Sequence, residues 1–335
     1  MTPGGKYLKN RVVSGYRPSG RLHLGHYHGN LKNMVRLQET HQCFFFVADW
    51  HMLTTGYRDT SMLGRWTSDM VLDWLAAGLD PDKCTIYRQS DVRAISELHL
   101  YFGMVTTLGE LERNPTYKEQ LRELGSRVTN TYGFLGYPVL QATDILAVDA
   151  ELVPVGEDQL PHLELTREIA RDFNSLYGEI FPEPQPILST SPKIPGTDGR
   201  KMSKSYGNYI GLDESPEEIA RKVRKMVTDP ARKRRSDKGH PEVCTVFTLC
   251  KIYCPDDLDA LAGACREAEI GCTDCKDRLA ERVAGDLAPL RERRRELEKE
   301  TGLVAAILGR GAQVVNPIVE DSCAKARAAM NIGSL

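Results

Sequence analysis

At 335 residues, with 41% hydrophobic and 27% charged residues, the chain has the length of two domains and the composition of a soluble globular protein. A formal net charge of -2 excludes blanket affinity for nucleic acid. The absence of any apolar run of about 18 residues excludes a membrane helix, and a charged, Gly-containing start from Met1 to Arg11 excludes a secretory leader, so a cytosolic protein is expected.

In chain order, Val12-Val13 reads as a buried strand. It runs into a turn carrying Gly15, Gly20 and Gly25, and a helix is expected to start near Leu24. The almost wholly apolar stretch Cys43 to Val47, then Thr85-Ile86-Tyr87 and Leu152 to Val155, read as strands covered on both faces. Leu63, Trp66, Met70 and Trp74 recur at three- and four-residue spacing, a helical period. This alternation predicts a parallel, Rossmann-like α/β sheet that binds ligands at the carboxyl ends of its strands. From residue 213 the strand signal fades. Ser215-Pro216-Glu217-Glu218 is a complete helix start, with Ser as cap, Pro in the first turn and Glu three residues after the cap. Ile219, Val223 and Met226, then Leu279, Val283, Leu287 and Leu290, continue in helical period, and Asn316-Pro317 marks a further helix start. The predicted division is an α/β domain over 1–205, an all-helical domain over 206–315 and a C-terminal helix over 316–335.

Two short segments carry the chemistry. His23-Leu24-Gly25-His26 would set two imidazoles in a Gly-rich turn before a helix N-terminus, where backbone can approach a nucleotide's phosphates. Lys201-Met202-Ser203-Lys204-Ser205 places two ammonium groups on a loop bracketed by Gly199 and Gly207, suited to an anionic leaving group such as pyrophosphate. Either alone is a common surface pattern; together and in this order they point to chemistry at a nucleotide α-phosphate. The chain contains neither a G-x-x-x-x-G-K-[ST] loop nor a dinucleotide G-x-G-x-x-G turn at the first strand.

Ser14 to Tyr27, Ala48-Asp49-Trp50-His51, the run Tyr137 to Gln159 and Lys201 to Ser205 together resemble class I aminoacyl-tRNA synthetases, and within them the bacterial tryptophan enzymes. The resemblance spans most of residues 11–211. It implies a two-step reaction in which tryptophan and ATP, with Mg2+, give tryptophanyl-adenylate and pyrophosphate, and tRNA(Trp) then accepts the amino acid. By the same resemblance His23, His26, Lys201 and Lys204 are the catalytic residues. Arg17, Pro18, Ser19, Gly25 and His26 line the ATP site from the N-terminal side, Gly156, Glu157 and Asp158 meet the ribose and adenosine side, Ile194 meets adenine, Lys201 and Lys204 stabilise the transition state and the departing pyrophosphate, and Met202, Ser203 and Ser205 belong to the same ATP site.

For the amino acid, Asp144 is the expected acceptor for an indole N–H, a donor with no acceptor capacity of its own. Tyr137 and Gln159 would hold the ammonium, and Val155 and Ile145 would wall the ring. Val13 stands where tyrosine-activating relatives tend to have Tyr, which favours tryptophan. Gln141 points the other way, standing where many tryptophan enzymes have Met, so tyrosine remains the alternative. A small-molecule nucleotidyltransferase shares the first turn but needs neither the aromatic-substrate helix nor a helical second domain.

Two further features lie past residue 220. Residues 221–240 hold nine Lys or Arg against two Asp, with Arg232 and Arg234 among them, a candidate tRNA contact as readily as a solvated face. Nine cysteines without an export signal argue against a disulfide framework. Cys244, Cys265, Cys272 and Cys275 could hold zinc or an iron–sulfur cluster, since both take four thiolates; similarity to some bacterial relatives implies 4Fe-4S. Cys250 and Cys254, one helical turn apart, could compete as ligands but have no motif support, and Cys43, Cys84 and Cys323 read as core or surface thiols. A homodimer is a further implication of the resemblance.

Overall fold

A computed structural model describes residues 10–124, 131–188 and 194–333; the charged start through residue 9 lies outside them. Five strands form one parallel sheet: β1 (Arg11–Tyr16), β2 (Gln42–Val47), β3 (Thr85–Arg88), β4 (Leu152–Val155) and β5 (Gln185–Leu188), in the order β3-β2-β1-β4-β5. The Rossmann-like expectation holds for the first four strands. β5 was not foreseen: it has four residues, one of them Pro186, and its edge position tolerates a residue that cannot donate to a ladder.

Strand alternation explains the apolar runs. Val12, Cys43, Phe45 and Val47 face one hydrophobic cluster, while Val13, Phe44 and Phe46 face the other, so both sides of β1 and β2 are buried. The first cluster runs without a break from Leu22, Met70 and Trp74 into Ile219, Leu249, Leu279 and Leu290. The helical part therefore packs directly onto one face of the sheet.

Ser215 caps the Pro216–Arg224 helix by accepting from the Glu218 N–H, and the Glu218 carboxylate accepts from the Ser215 N–H. The long helix Cys272–Leu297 follows. Asn316-Pro317 does not start a helix: one helix runs from Leu303 to Ala329 through Pro317. Asn316 Nδ2 donates to the Ala312 and Asp91 carbonyls, at 2.8 and 3.2 Å, and steadies the turn that leads into the proline. This helix returns to the second face of the sheet, where Val315, Val319, Cys323 and Ala326 join the second cluster.

Candidate nucleotide and amino-acid site

β1 and β4 are paired through a single register partner, Val12 with Leu152. Beyond it their carboxyl ends separate at the point where strand order reverses, the place where open α/β sheets form a ligand crevice. The four motif regions converge there.

The first turn is built by its own histidines. His23 Nδ1 accepts from the Gly25 N–H at 3.1 Å, and His26 Nδ1 accepts from the His23 N–H at 3.3 Å, a reciprocal cap made of imidazoles. The rings lie 3.7 Å apart. Burial, reinforced by Lys204 and Lys222, lowers His23 to about 3; burial, His23 and Lys204 hold His26 well below its ordinary value. Both rings are thus neutral at physiological pH. With each Nδ1 accepting, each proton sits on Nε2, and the turn presents two N–H donors without net charge. Gly25 is required for space, because a Cβ there would lie 2.9 Å from His23 Cε1. Pro18 is buried, whereas Arg17 and Ser19 are exposed at the rim.

The lysine loop is zipped onto that turn. Leu24 N donates to Ile210 O at 3.0 Å and Leu212 N donates to Leu22 O at 3.1 Å. Met202 is buried in the core with Leu22, Leu24 and Ile194, and its N–H donates to Ile194 O at 3.3 Å. Lys204 Nζ donates to Gly20 O at 2.9 Å and Ser19 O at 3.1 Å. Burial lowers it to about 8, against a raising influence from Asp73. Lys201 stays largely in solvent, 3.7 Å from Asp158 across the crevice. Gly156 precedes the single turn Glu157–Gln159, where Glu157 and Asp158 are exposed. Ser203 and Ser205 share a 2.8 Å hydroxyl contact.

On the amino-acid side, Tyr137, Gln141, Asp144 and Ile145 recur on one face of the Tyr137–Leu146 helix. Val13, Ile145 and Val155 belong to one apolar cluster. Asp144 is fully buried; its Oδ2 takes a hydrogen bond from His51 Nε2 at 2.8 Å, and its Oδ1 takes one from Gln89 Nε2 at 2.7 Å. Burial raises its pKa, while His51 and Gln89 oppose that shift. Tyr137 and His162 share a 3.2 Å contact, and Asn114 lies at 3.2 Å from the other ring nitrogen. Among the described residues, the side chains of Gln141 and Gln159 have no hydrogen-bond partner, which leaves their amides free for a ligand.

Sequence reasoning missed three buried supports. Gln89 and His51 orient Asp144. Asn208 braces the lysine loop: its Oδ1 accepts from Ser203 N at 2.8 Å and its Nδ2 donates to Asp198 and to Lys201 O. Only His51, inside a quoted motif, carried any signal.

Past residue 220 the two expectations fare differently. Arg232 is buried and donates to Ile270 O at 2.7 Å and Arg235 O at 3.0 Å, so it is a structural residue and not a surface contact. Lys233 and Arg234 are exposed and form no ion pair among the described residues. The Cys265 thiol is within electrostatic reach of Cys244, Cys272 and Cys275. Yet among the described residues no group of three or more Cys, His, Asp or Glu is arranged to hold a metal. Cys275 instead accepts a hydrogen bond from Cys250, which holds Cys275 below the usual thiol range and Cys250 far above it. Cys43, Cys84 and Cys323 are buried.

A parallel sheet with neutral imidazoles, a docked lysine loop and a buried carboxylate around its switch point defines a class I synthetase type of nucleotide-activating site. A family model described as tRNA synthetases class I (W and Y) matches residues 7–287. The chain is 49% identical to a tryptophan–tRNA ligase of Thermotoga maritima, covering 96% of this chain and 99% of the relative. It is 42% identical to that of Aquifex aeolicus, covering 96% and 100%. The crystal structure of tryptophanyl-tRNA synthetase from Campylobacter jejuni complexed with ADP and tryptophan superposes with a TM-score of 0.85 at 32% identity, covering 96% and 100%. The chain belongs to the class I tRNA synthetase family of the tryptophan and tyrosine enzymes.

Proposed function

We infer that the chain is a tryptophan–tRNA ligase: it activates L-tryptophan with ATP and transfers it to tRNA(Trp). The observation that carries this is the packing of the His23–His26 turn against Met202 and Lys204, together with a buried Asp144 that His51 and Gln89 orient. Tryptophan–tRNA ligases that match over 96% of this chain and at least 99% of their own length support it. In the first step a tryptophan carboxylate oxygen bonds to the α-phosphorus while the bond to the β-phosphate bridging oxygen breaks and pyrophosphate leaves. In the second, the tRNA terminal ribose hydroxyl attacks the adenylate carbonyl and AMP leaves.

The protein's part is positioning and charge. The Nε2–H groups of His23 and His26 would donate to the phosphates without adding charge, and Lys204 and Lys201 would offset the charge that builds on departing pyrophosphate. Mg2+ would arrive with the triphosphate, held by its oxygens and water. Ile194 at the base of the loop is assigned to adenine, and Glu157 and Asp158 to the ribose side. Asp144 keeps unused acceptor capacity on Oδ1 for an indole N–H, with Val13, Ile145 and Val155 around the ring, Gln141 at its edge, and Tyr137 and Gln159 at the ammonium. Pyrophosphate exchange screened over the twenty amino acids tests the assignment: tryptophan alone should support it, and a tyrosine-only response would move the chain to the other branch.

Residues 1–205 are proposed as the catalytic domain and the helical part that follows as the tRNA anticodon contact, through exposed cations such as Lys233 and Arg234. A homodimer is proposed through the face of the Ala94–Val105 helix that carries Leu100, Gly103 and Met104. Met104 is 70% exposed, and Tyr132, 76% exposed, lies beside Gly103. Among the described residues no helix is long and apolar enough to cross a membrane, and the substrates are those of the cytoplasm. Cys244, Cys265, Cys272 and Cys275 are kept as the proposed ligands of a 4Fe-4S cluster, with zinc as the alternative metal. Their electrostatic proximity favours the proposal, and the arrangement of Cys275 against Cys250 would have to open. Anaerobically purified protein should be brown and lose its colour on Cys272→Ser; protein with neither iron nor zinc would remove the cluster.

A further inference from the structure

The helical part reaches the first turn through one buried cation. Arg294, near the end of the Cys272–Leu297 helix, is 2% exposed. Its guanidinium donates to the Asp69 carbonyl at 2.9 Å, to Asp69 Oδ1 at 2.9 Å and to Asp73 Oδ1, and lies 3.0 Å from Glu298. Asp73 is wholly buried, and its second oxygen, Oδ2, accepts the Leu22 N–H at 2.8 Å. Leu22 immediately precedes His23, and its own carbonyl takes the Leu212 N–H that zips the lysine loop in place. Asp73 is also the carboxylate that acts electrostatically on Lys204. A charge-assisted chain therefore runs from Arg294 through Asp73 to the backbone that carries both imidazoles.

A purely stabilising ion pair would not need this placement. Buried pairs roughly break even against apolar residues of similar volume, so burying this one against the entry of a phosphate-facing turn points to a geometric task. With Glu298 counted, the guanidinium faces four acceptors, the Asp69 carbonyl and three carboxylates, one more than the three donors of an ammonium can serve and spread as its planar fork is. We propose that Arg294 is a positioning residue for amino-acid activation: by fixing Asp73 on the Leu22 N–H it holds the His23–His26 turn in register with the lysine loop. This rests on the tryptophan-activating reading. Displacement of a reacting group by an ångström from a remote substitution can cost up to about a hundredfold in rate.

The test is Arg294→Lys, which keeps the buried charge while losing the fork. Tryptophan-dependent pyrophosphate exchange should lose about tenfold in kcat/KM for ATP, whereas the tryptophan dissociation constant and the melting temperature stay near those of the parent. The doubly neutral Asp73→Asn, Arg294→Met variant leaves no buried charge at either position, with Asp69 still beside Arg21 and Arg65, and serves if the lysine variant is unstable. It keeps an acceptor for Leu22 without the anchor, and should show the same selective loss for ATP. Parental kcat/KM for ATP in a folded variant would overturn the inference, as would equal weakening of tryptophan and ATP, the mark of general loosening. An inactive parent chain would defeat the activity assignment itself, a result distinct from either.

Discussion

Lys204 offers the sharpest test of how this site handles charge. Its ammonium rests on the neutral carbonyls of Ser19 and Gly20, and burial lowers it to about 8. In the free protein about nine-tenths of the molecules carry the charge at pH 7 and about one-tenth at pH 9. A lowered lysine loses its proton as pH rises, so kcat/KM for ATP in pyrophosphate exchange, measured at saturating tryptophan, should fall about tenfold between pH 7 and pH 9. Bound phosphates favour the ammonium, so the fall in kcat should lie at higher pH than the fall in kcat/KM. Lys204→Arg, permanently charged, should lower the plateau but remove the alkaline fall. If the arginine variant keeps the parent's alkaline fall, or if the parent is flat to pH 9, Lys204 is not the group that titrates and the charge reasoning fails.

Three further outcomes follow from particular contacts. Asp144→Ala leaves the His51 and Gln89 donors buried without their acceptor, a loss of about 1 to 3 kcal/mol; KM for tryptophan should rise about tenfold or more with ATP little affected, and an unaltered KM would exclude Asp144 from recognition. Gly311→Ala would drive a Cβ into the Ile86 carbonyl of β3, so thermal unfolding should show a destabilisation of about 1 to 3 kcal/mol; a parental melting temperature would mean the helix and strand can separate freely. Lys233→Glu with Arg234→Glu should weaken tRNA binding and flatten its salt dependence while pyrophosphate exchange is unchanged; parental tRNA affinity at low salt would return that stretch to plain solvated surface.

The sequence by itself determined the elements whose causes are local. Both faces of β1 and β2 are buried, so their apolar runs were legible, and Ser215 with Glu218 announced a helix start because a capping box is written in four consecutive residues. His23, His26 and the lysine loop were legible for the same reason, as turn chemistry confined to short segments. Only the tertiary structure decided what depends on partners far apart in the chain. β5 became a strand by pairing with β4 despite Pro186, and Pro317 stayed inside a helix because that helix is packed on the sheet. Arg232, read as surface charge, turned inward because the Ile270 and Arg235 carbonyls accept its guanidinium. Asp144 was named from the sequence without the buried contacts to Gln89 and His51 that orient it, and Arg294 meets Asp69 and Asp73 across more than two hundred residues. Such pairs leave no periodicity, because folding, and not neighbouring sequence, supplies the burial and the partners that fix them.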